Sequence, residues 1–370
     1  ARILEREAPR PVLVARMLAD AFLVLFPYKG KEELVTYCEA YSRALNGFIV
    51  SREQNYQLEL RSGICCVEDS DASDINSLLD RANMALKTIK VKGAAQWKFY
   101  DHTMRDKLLR EKDLEIRMEK ALADGEFLVY IQPKYWVGTR ALAGGEALVR
   151  WKSPDQGFLS PGEFIPLFEK NRFIVKLDQF MFTSVCGLLR QWLDAGIEPR
   201  PLSVNVSRMQ FHTPDFVERY IRIKSQYAIP DGLLELEFTE SIFFDNVALL
   251  SSAVHELRRA GIKCSIDDLG AGYSSLNVLK ALPVSVLKLD GMFFRTAKDD
   301  EQAKIVIRNI MRMAGELKMA TVAEGVETHE QVAFLETTGC DIIQGYVFAR
   351  PMPAAEFTEL LAGEGGHAER

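Results

Sequence analysis

With 370 residues, the chain is long enough for about two domains, each with its own apolar core. Its composition, 48% hydrophobic and 26% charged, is that of a soluble globular protein. A net charge of −6 and a pI near 5.6 argue against binding a nucleic-acid polymer through its phosphates, so an anionic substrate would need a local positive site or a metal.

No apolar run approaches the roughly 20 residues of a membrane span, and there is no signal peptide. The six cysteines (38, 65, 66, 186, 264, 340) lie mostly in apolar runs without metal-binding spacing, which fits reduced thiols in the cytoplasm. The five histidines (102, 212, 255, 329, 367) are scattered, so a His-based metal site or nucleophilic triad has little support. The chain begins with Ala1 and not Met, which suggests a piece of something longer.

Residues 1–101 mix short strand candidates (Pro11–Val14, Phe22–Phe26, Gln57–Cys65) with helices (Lys31–Ala44, Ile75–Ile89). Residues 102–123 read as one charged helix in which Leu, Ile and Met recur every three or four positions. It suits either a rigid connector with a coiled-coil seam or an amphipathic helix packed on its own domain.

From 124 to 365, strand and helix signals alternate. The strand candidates are Phe127–Gln132, Leu142–Trp151, Leu202–Ser207, Leu233–Thr239, Cys264–Asp268, Val284–Asp290, Ala320–Glu324 and Ile342–Phe348. The helix candidates are Lys176–Ala195, Asp215–Gln226, Asn246–Ala260, Glu301–Leu317, His329–Thr338 and Ala354–Leu361. Only the short loop Val137–Ala141 joins the first two strands, which predicts an antiparallel hairpin. Eight strands in about 240 residues fit an α/β TIM-type (β/α)8 barrel with one antiparallel strand. An open doubly wound sheet is the alternative, although no G-x-G-x-x-G or G-x-x-x-x-G-K-[ST] loop favours it.

Asp267 and Asp268 end an apolar run and precede the glycine loop Leu269-Gly270-Ala271-Gly272-Tyr273. An ordinary strand-end turn explains the pair; so does a divalent cation between two carboxylates that otherwise repel. The other strand ends bear on the choice. They carry Glu146 and Arg150, Asn205, Glu235 with Glu237 and Glu240, Lys288 with Asp290, Glu324 with Glu327, and Gln344. A salt bridge or a cap explains any one of these. Seven strands in register call for more, because burying so many unpartnered ionisable groups is prohibitive. Carboxylates and amides without His or Cys select Mg²⁺ or Mn²⁺. Two such ions beside one lysine suit phosphodiester hydrolysis. Lys288 would hold the water and stabilise developing charge, and Glu324 would act as general base or complete the metal shell. Arg150 suits a phosphate oxygen.

At these residues the chain resembles the EAL-domain family, the cyclic-di-GMP phosphodiesterases of bacterial signalling, named for Glu146-Ala147-Leu148 as it stands here. The likeness runs from Leu128 to Pro351. It includes Gln132-Pro133, Ser160-Pro161 with Phe164-Ile165-Pro166, Asn205-Val206-Ser207, Glu237-Phe238-Thr239-Glu240, Asp267-Asp268, Lys288-Leu289-Asp290, Ala323-Glu324-Gly325-Val326-Glu327 and Gln344-Gly345. The resemblance implies an often dimeric barrel that hydrolyses cyclic di-GMP to the linear dinucleotide pGpG with two Mg²⁺ or Mn²⁺ ions. It implies metal ligands at Glu146, Asn205, Glu237, Asp267 and Asp268, and water activation by Lys288 and Glu324. Gln132, Leu148, Arg150, Asp178, Asp290, Glu327 and Gln344 would serve the substrate or support the centre, and Glu240 would brace the loop after Asp268. Leu269 and Ala271 depart from the family's usual Phe and Thr, so rate or regulation is expected to differ.

Residues 1–101 resemble the second half of a GGDEF (diguanylate cyclase) domain, through Arg16, Phe22, Ser62-Gly63-Ile64 and Leu78–Lys87. The signature is degraded to Leu18-Ala19-Asp20-Ala21-Phe22, without either glycine or the catalytic glutamate, so cyclase activity is not expected. The expected organisation is a partial α+β domain at 1–101, a helical linker at 102–123 and the barrel at 124–365, with a sensor domain upstream in a longer protein that is itself membrane-anchored or free. Two competitors stand beside the enzyme: a receptor that binds the dinucleotide, barely cuts it and signals through partners, and a metal-dependent carbonyl enzyme on the same fold.

Overall fold

A computed structural model describes residues 11–50, 59–67, 74–89, 96–239, 242, 247–269, 283–296 and 300–365. For 47–50, 268–269, 295–296 and 364–365 it describes the backbone alone. The chain divides into two compact units, 1–113 and 114–370.

In the first unit, β1 (Leu13–Leu18) pairs antiparallel with β2 (Ala21–Leu25). The degraded signature therefore forms a two-residue hairpin turn, Ala19-Asp20, with Ala19 at φ 44°. β1 starts later and runs further than the expected Pro11–Val14, because its pairing with β2 extends to the turn. α1 (Lys31–Val50) follows. β3 (Ser62–Ile64) is shorter than expected and pairs parallel with β4 (Trp97–Phe99), which was not anticipated. Against β3 lies α2 (Ile75–Lys87), whose first amides are capped by Asp74, accepting from Asn76 and Ser77 at 2.8 and 3.0 Å. The approach requires Gly63, since a Cβ there would stand 2.0 Å from the Ala82 carbonyl oxygen.

The division between the units falls within α3 (His102–Ala123). The second unit continues with β5 (Phe127–Trp136), β6 (Leu142–Ser153), β7 (Gly157–Leu159), α4 (Pro161–Asn171) and α5 (Ile174–Asp194). Next come β8 (Leu202–Val206), a 3₁₀ turn (Arg208–His212), α6 (Phe216–Gln226), β9 (Leu234–Thr239), α7 (Val247–Arg259) and β10 (Lys263–Leu269). The chain then forms β11 (Val286–Leu289), α8 (Met292–Thr296), α9 (Glu301–Glu316), β12 (Ala320–Ala323), α10 (His329–Glu336), β13 (Ile342–Gln344), β14 (Met352–Pro353) and α11 (Ala354–Gly365).

Eight strands close in the order β5-β6-β8-β9-β10-β11-β12-β13, and β13 pairs back onto β5. β5 is antiparallel to both neighbours, with Gln132 opposite Glu146 and Lys134 opposite Gln344. The remaining barrel pairs are parallel. The expected barrel with one antiparallel strand is thus the fold, and the doubly wound sheet is excluded by closure.

Alternation decides which residues face inward. Ile131, Ala147, Val204, Leu236, Phe238, Ile266, Leu287, Leu289, Ala323 and Ile343 belong to the apolar core beneath the helices. Their strand neighbours Gln132, Glu146, Ser203, Asn205, Glu235, Glu237, Asp267, Lys288 and Gln344 take the other face. A second core gathers Leu114 and Ala121 of α3 with Phe127, Trp151, Phe164 and Phe168.

β7 and α4, like the 3₁₀ turn, α8 and β14, were not anticipated. β7 pairs antiparallel with the end of β6, which extends to Ser153. α4 contains Pro161 and Pro166; Pro161 sits in the first turn, where its missing N–H costs nothing, and Ser160 with Glu163 forms a capping box. Buried Phe164, Leu167 and Phe168 hold the helix past Pro166. β13 stops at Gln344, short of the expected Phe348. A Cβ on Gly345 would lie 2.0 Å from the Val326 oxygen, and the chain turns there with Phe348 N–H donating to Gly345 O at 3.2 Å.

Candidate active site

Lys288, fully buried on β11, is the centre of the inward-facing polar residues. Its Nζ lies 2.5 Å from Glu237 Oε2, 2.5 Å from Glu324 Oε1, 3.3 Å from Asp267 Oδ1 and 3.8 Å from Glu146 Oε2. These acids come from β9, the end of β12, β10 and β6. Register explains the convergence: Glu237 stands beside Asn205 on one side and Ser265 on the other, and Lys288 beside Val322.

Glu146 is held through both oxygens. Asn205 Nδ2 donates to Oε1 at 2.6 Å, and Gln344 Nε2 donates to Oε2 at 2.6 Å. Gln344 Nε2 also reaches Gln132 Oε1 at 3.1 Å, and Gln132 Nε2 donates to the Ala349 carbonyl at 3.3 Å. Glu237 has an ammonium on each oxygen, Lys288 on Oε2 and Lys134 on Oε1 at 2.9 Å.

Four carboxylates thus face two ammoniums. Burial favours the protonated form of Glu146, Glu237 and Glu324. For Glu237 the opposing pull of Lys134 and Lys288 wins, and its carboxyl stays well below the usual range. For Glu146, burial and then the neighbouring Glu237 outweigh the lysines and push the carboxyl up. Burial does the same to Glu324, strongly, against Lys288. Burial would neutralise Lys288, but Glu146, Glu237, Glu324 and Asp267 keep it charged. Among the described residues, no three His, Cys, Asp or Glu side chains are arranged to hold a metal ion; these acids close on the Lys288 ammonium. The site nevertheless suits a hard cation. It carries two negative charges in excess when ionised, its donors are all oxygen or amide, and one buried oxygen, Gln344 Oε1, accepts no hydrogen bond.

Glu146, Asn205, Glu237, Asp267, Lys288, Glu324, Gln344 and Gln132 are therefore brought together. Asp268 is the penultimate residue of β10, with its backbone alone described; Glu240 and Ala271 lie outside the described residues, and Leu269 is the last residue of β10. Five expected residues lie elsewhere. Asp178 is buried on α5, where Oδ2 accepts from Ser207 N–H at 3.0 Å and Gln210 Nε2 at 3.2 Å. Arg150 donates to Val149 O at 2.9 Å and lies over the Tyr130 ring. Leu148 is half-buried opposite Tyr130. Asp290 Oδ1 accepts from Met292 N–H at 2.7 Å, and Glu327 is exposed with its N–H bonded to Gln331.

Lys134 and Ser203 were missed. Lys134 Nζ crosses from β5 to donate to Ser203 Oγ at 2.7 Å as well as to Glu237. The signal was present in Gln132-Pro133-Lys134: a lysine two positions beyond a site residue of an apolar strand shares its face.

Fold and site together define a TIM-type barrel with an acidic, lysine-centred site at its strand ends. The chain belongs to the EAL-domain family, whose profile matches residues 116–351; residues 1–96 match the diguanylate cyclase, GGDEF domain. The bifunctional diguanylate cyclase/cyclic di-GMP phosphodiesterase MucR of Pseudomonas aeruginosa is 30% identical over 350 residues, 94% of this chain and 51% of that protein. The cyclic di-GMP phosphodiesterase NbdA of the same bacterium is 31% identical over 349 residues, 94% of this chain and 44% of that one. A solved MucR phosphodiesterase in complex with c-di-GMP superposes with a TM-score of 0.63 at 35% identity, over 66% of this chain and 99% of that one. The EAL domain of Mycobacterium smegmatis DcpA gives 0.56 at 28% identity, over 64% and 98%. The chain spans about half the length of the curated relatives it matches. EAL phosphodiesterases are in general metal-dependent. No described helix is long and apolar enough to cross a membrane.

Proposed function

We propose that this chain is a metal-dependent phosphodiesterase that hydrolyses cyclic di-GMP to linear pGpG. The observation that carries the reading is the convergence of Glu146, Glu237, Asp267 and Glu324 on Lys288 inside an EAL-family barrel. Glu146, Asn205, Glu237, Asp267 and Asp268 would hold two Mg²⁺ or Mn²⁺ ions. When bound, such ions supply Lewis-acid stabilisation of a phosphodiester and a lowered pKa for water. Glu324, whose burial raises its proton affinity, takes the proton of the attacking water. Lys288, kept charged by the surrounding acids, steers that water and offsets charge developing on the phosphate. Gln344 and Asn205 fix Glu146 from either side. Gln132, Leu148, Arg150, Asp178, Asp290 and Glu327 are assigned to the substrate side, and Glu240 to the loop after Asp268.

The domain limits 1–101, 102–123 and 124–365 are supported by the family matches and by the division inside α3. Cyclase activity is not assigned to the first region, whose signature residues form a plain hairpin turn. A homodimer through the barrel is supported by exposed Ile305 and Val306 on α9, and a sensor domain belongs to the rest of a longer protein. Buried thiols such as Cys186, Cys264 and Cys340 support the cytoplasm.

Incubation with cyclic di-GMP and Mn²⁺, read by chromatography, tests the reading. Linear product is expected, and Glu146→Ala should abolish it. Tight binding without product would instead establish a receptor.

A further inference from the structure

We infer that Lys134 is a positioning residue of the metal site, which pins Glu237 by one carboxylate oxygen so that the other is presented to the centre. The inference rests on the assignment of Glu237 as a metal ligand.

The two lysines that touch Glu237 are not equivalent. Lys288 approaches four carboxylates, whereas Glu237 is the one carboxylate recorded in ion-pair contact with Lys134 among the described residues. Lys288 thus belongs to the centre and Lys134 to one oxygen of one ligand. Lys134 is itself fixed. It starts from the inward face of β5, spans the barrel interior and ends between Glu237 Oε1 and Ser203 Oγ, at 2.9 and 2.7 Å. Ser203 lies on β8, one inward position before Asn205, and its hydroxyl donates weakly to the Gly145 carbonyl at 3.4 Å. Both partners are buried, Lys134 at 6% exposure and Glu237 at 1%. A carboxylate that accepts a hydrogen bond on one oxygen from a fixed ammonium has lost the freedom to rotate about its last torsion. Its second oxygen is then pre-oriented, which is how groups behind a ligand raise affinity for a cation. β5 is the antiparallel strand, so the direction from which Lys134 enters is a property of the closure between β6 and β13.

The competing role is charge alone: Lys134 would merely offset one buried acid. The two roles predict opposite effects on metal binding. Taking away a positive charge without loss of order makes a site more attractive to Mn²⁺; loosening a ligand makes it less so. Mn²⁺ affinity is therefore measured on the full chain without substrate, by calorimetry and by the paramagnetic resonance signal of free Mn²⁺. Lys134→Met, which keeps the stem and removes the ammonium, is expected to weaken Mn²⁺ binding roughly ten-fold. Lys134→Gln, whose amide can still donate to Oε1, is expected to recover most of that loss. Ser203→Ala leaves every charge in place but frees the lysine, and is expected to weaken Mn²⁺ about three-fold. Unchanged or tighter Mn²⁺ binding in Lys134→Met overturns the inference, as does unchanged binding in Ser203→Ala should Lys134→Met fail to fold. If the unaltered chain binds no Mn²⁺, the phosphodiesterase reading and this inference fall together. If it binds Mn²⁺ and cuts cyclic di-GMP while the variants bind equally well, Lys134 alone is wrongly assigned.

Discussion

The ammonium of Lys288 lies 2.5 Å from Glu324 Oε1, a buried ion pair in which Glu324 is one of four acids around the same nitrogen. An ammonium bound in this way is a cation standing among acids, and its removal leaves four carboxylates facing one another with Lys134 alone.

Lys288→Met should therefore destabilise the metal-free protein by about 3–5 kcal/mol, the cost of stranding buried charge. Turnover of cyclic di-GMP should fall by roughly a thousand-fold. Mn²⁺ should raise the melting temperature of the variant more than that of the unaltered protein, because the ion takes over the missing countercharge. Calorimetry with Mn²⁺ and with chelator checks this; an equal or smaller rise in the variant would show that Lys288 is not the countercharge.

Asp178 gives a pH-dependent prediction. Burial raises its carboxyl from 3.8 to about 7, against hydrogen bonds from Ser207 and Gln210. The folded state therefore holds a proton that the unfolded state releases between those two values. Stability contributed by this group is greatest below pH 3.8, falls as pH rises through the window, and is fully lost above about 7. Asp178→Asn keeps an oxygen for both donors and removes the titration. Urea unfolding should find it more stable than the parent at pH 8, by about 4 kcal/mol at most, and nearly equal to it at about pH 4. A difference independent of pH would refute the assignment.

Gly345 allows the turn after β13. In Gly345→Ala the added carbon would meet the Val326 oxygen at 2.0 Å, a backbone atom that cannot rotate away. Gln344, one residue earlier, would shift from Glu146 and Gln132. We expect a loss of about 1–3 kcal/mol, and turnover reduced more than that loss explains under folding conditions. Thermal melts and steady-state kinetics at saturating Mn²⁺ separate the two effects.

Trp151 tests the second core. It is fully buried, has ring centroids of Phe127, Phe164 and Phe168 at 4.9, 5.6 and 5.8 Å, and donates through Nε1 to Glu126 Oε2 at 2.7 Å. Trp151→Ala should cost about 3–5 kcal/mol. Trp151→Phe, which loses chiefly the hydrogen bond, should cost about 1 kcal/mol. Denaturant titration gives both values; similar losses would mean that the ring volume is not what holds this core.

Much of the site was legible in the chain because strand alternation is local. Any polar residue flanked by Leu236 and Phe238, or by Leu287 and Leu289, must face away from the apolar layer. That reasoning found Glu237 and Lys288 without knowledge of their neighbours. It did not find α4, which has Pro161 in its first turn and is held by Phe164 and Phe168 in the second core. It failed for the end of β13, where only the approach of Val326 shows why Gly345 stops the strand.

The sequence alone determined the face taken by Glu146, Asn205, Glu237, Asp267, Lys288 and Gln344, the oxygen-rich character of the acids and amides among them, and the hairpin that begins the barrel. Each depends on residues within a few positions of one another. Tertiary structure decided the rest. That β5 closes antiparallel between β6 and β13, that Lys134 reaches a glutamate 103 positions away, and that four acids share one ammonium all depend on register between strands distant in the chain. A two-residue period sets the face on which a side chain lies, whereas its partner across the barrel is set by closure.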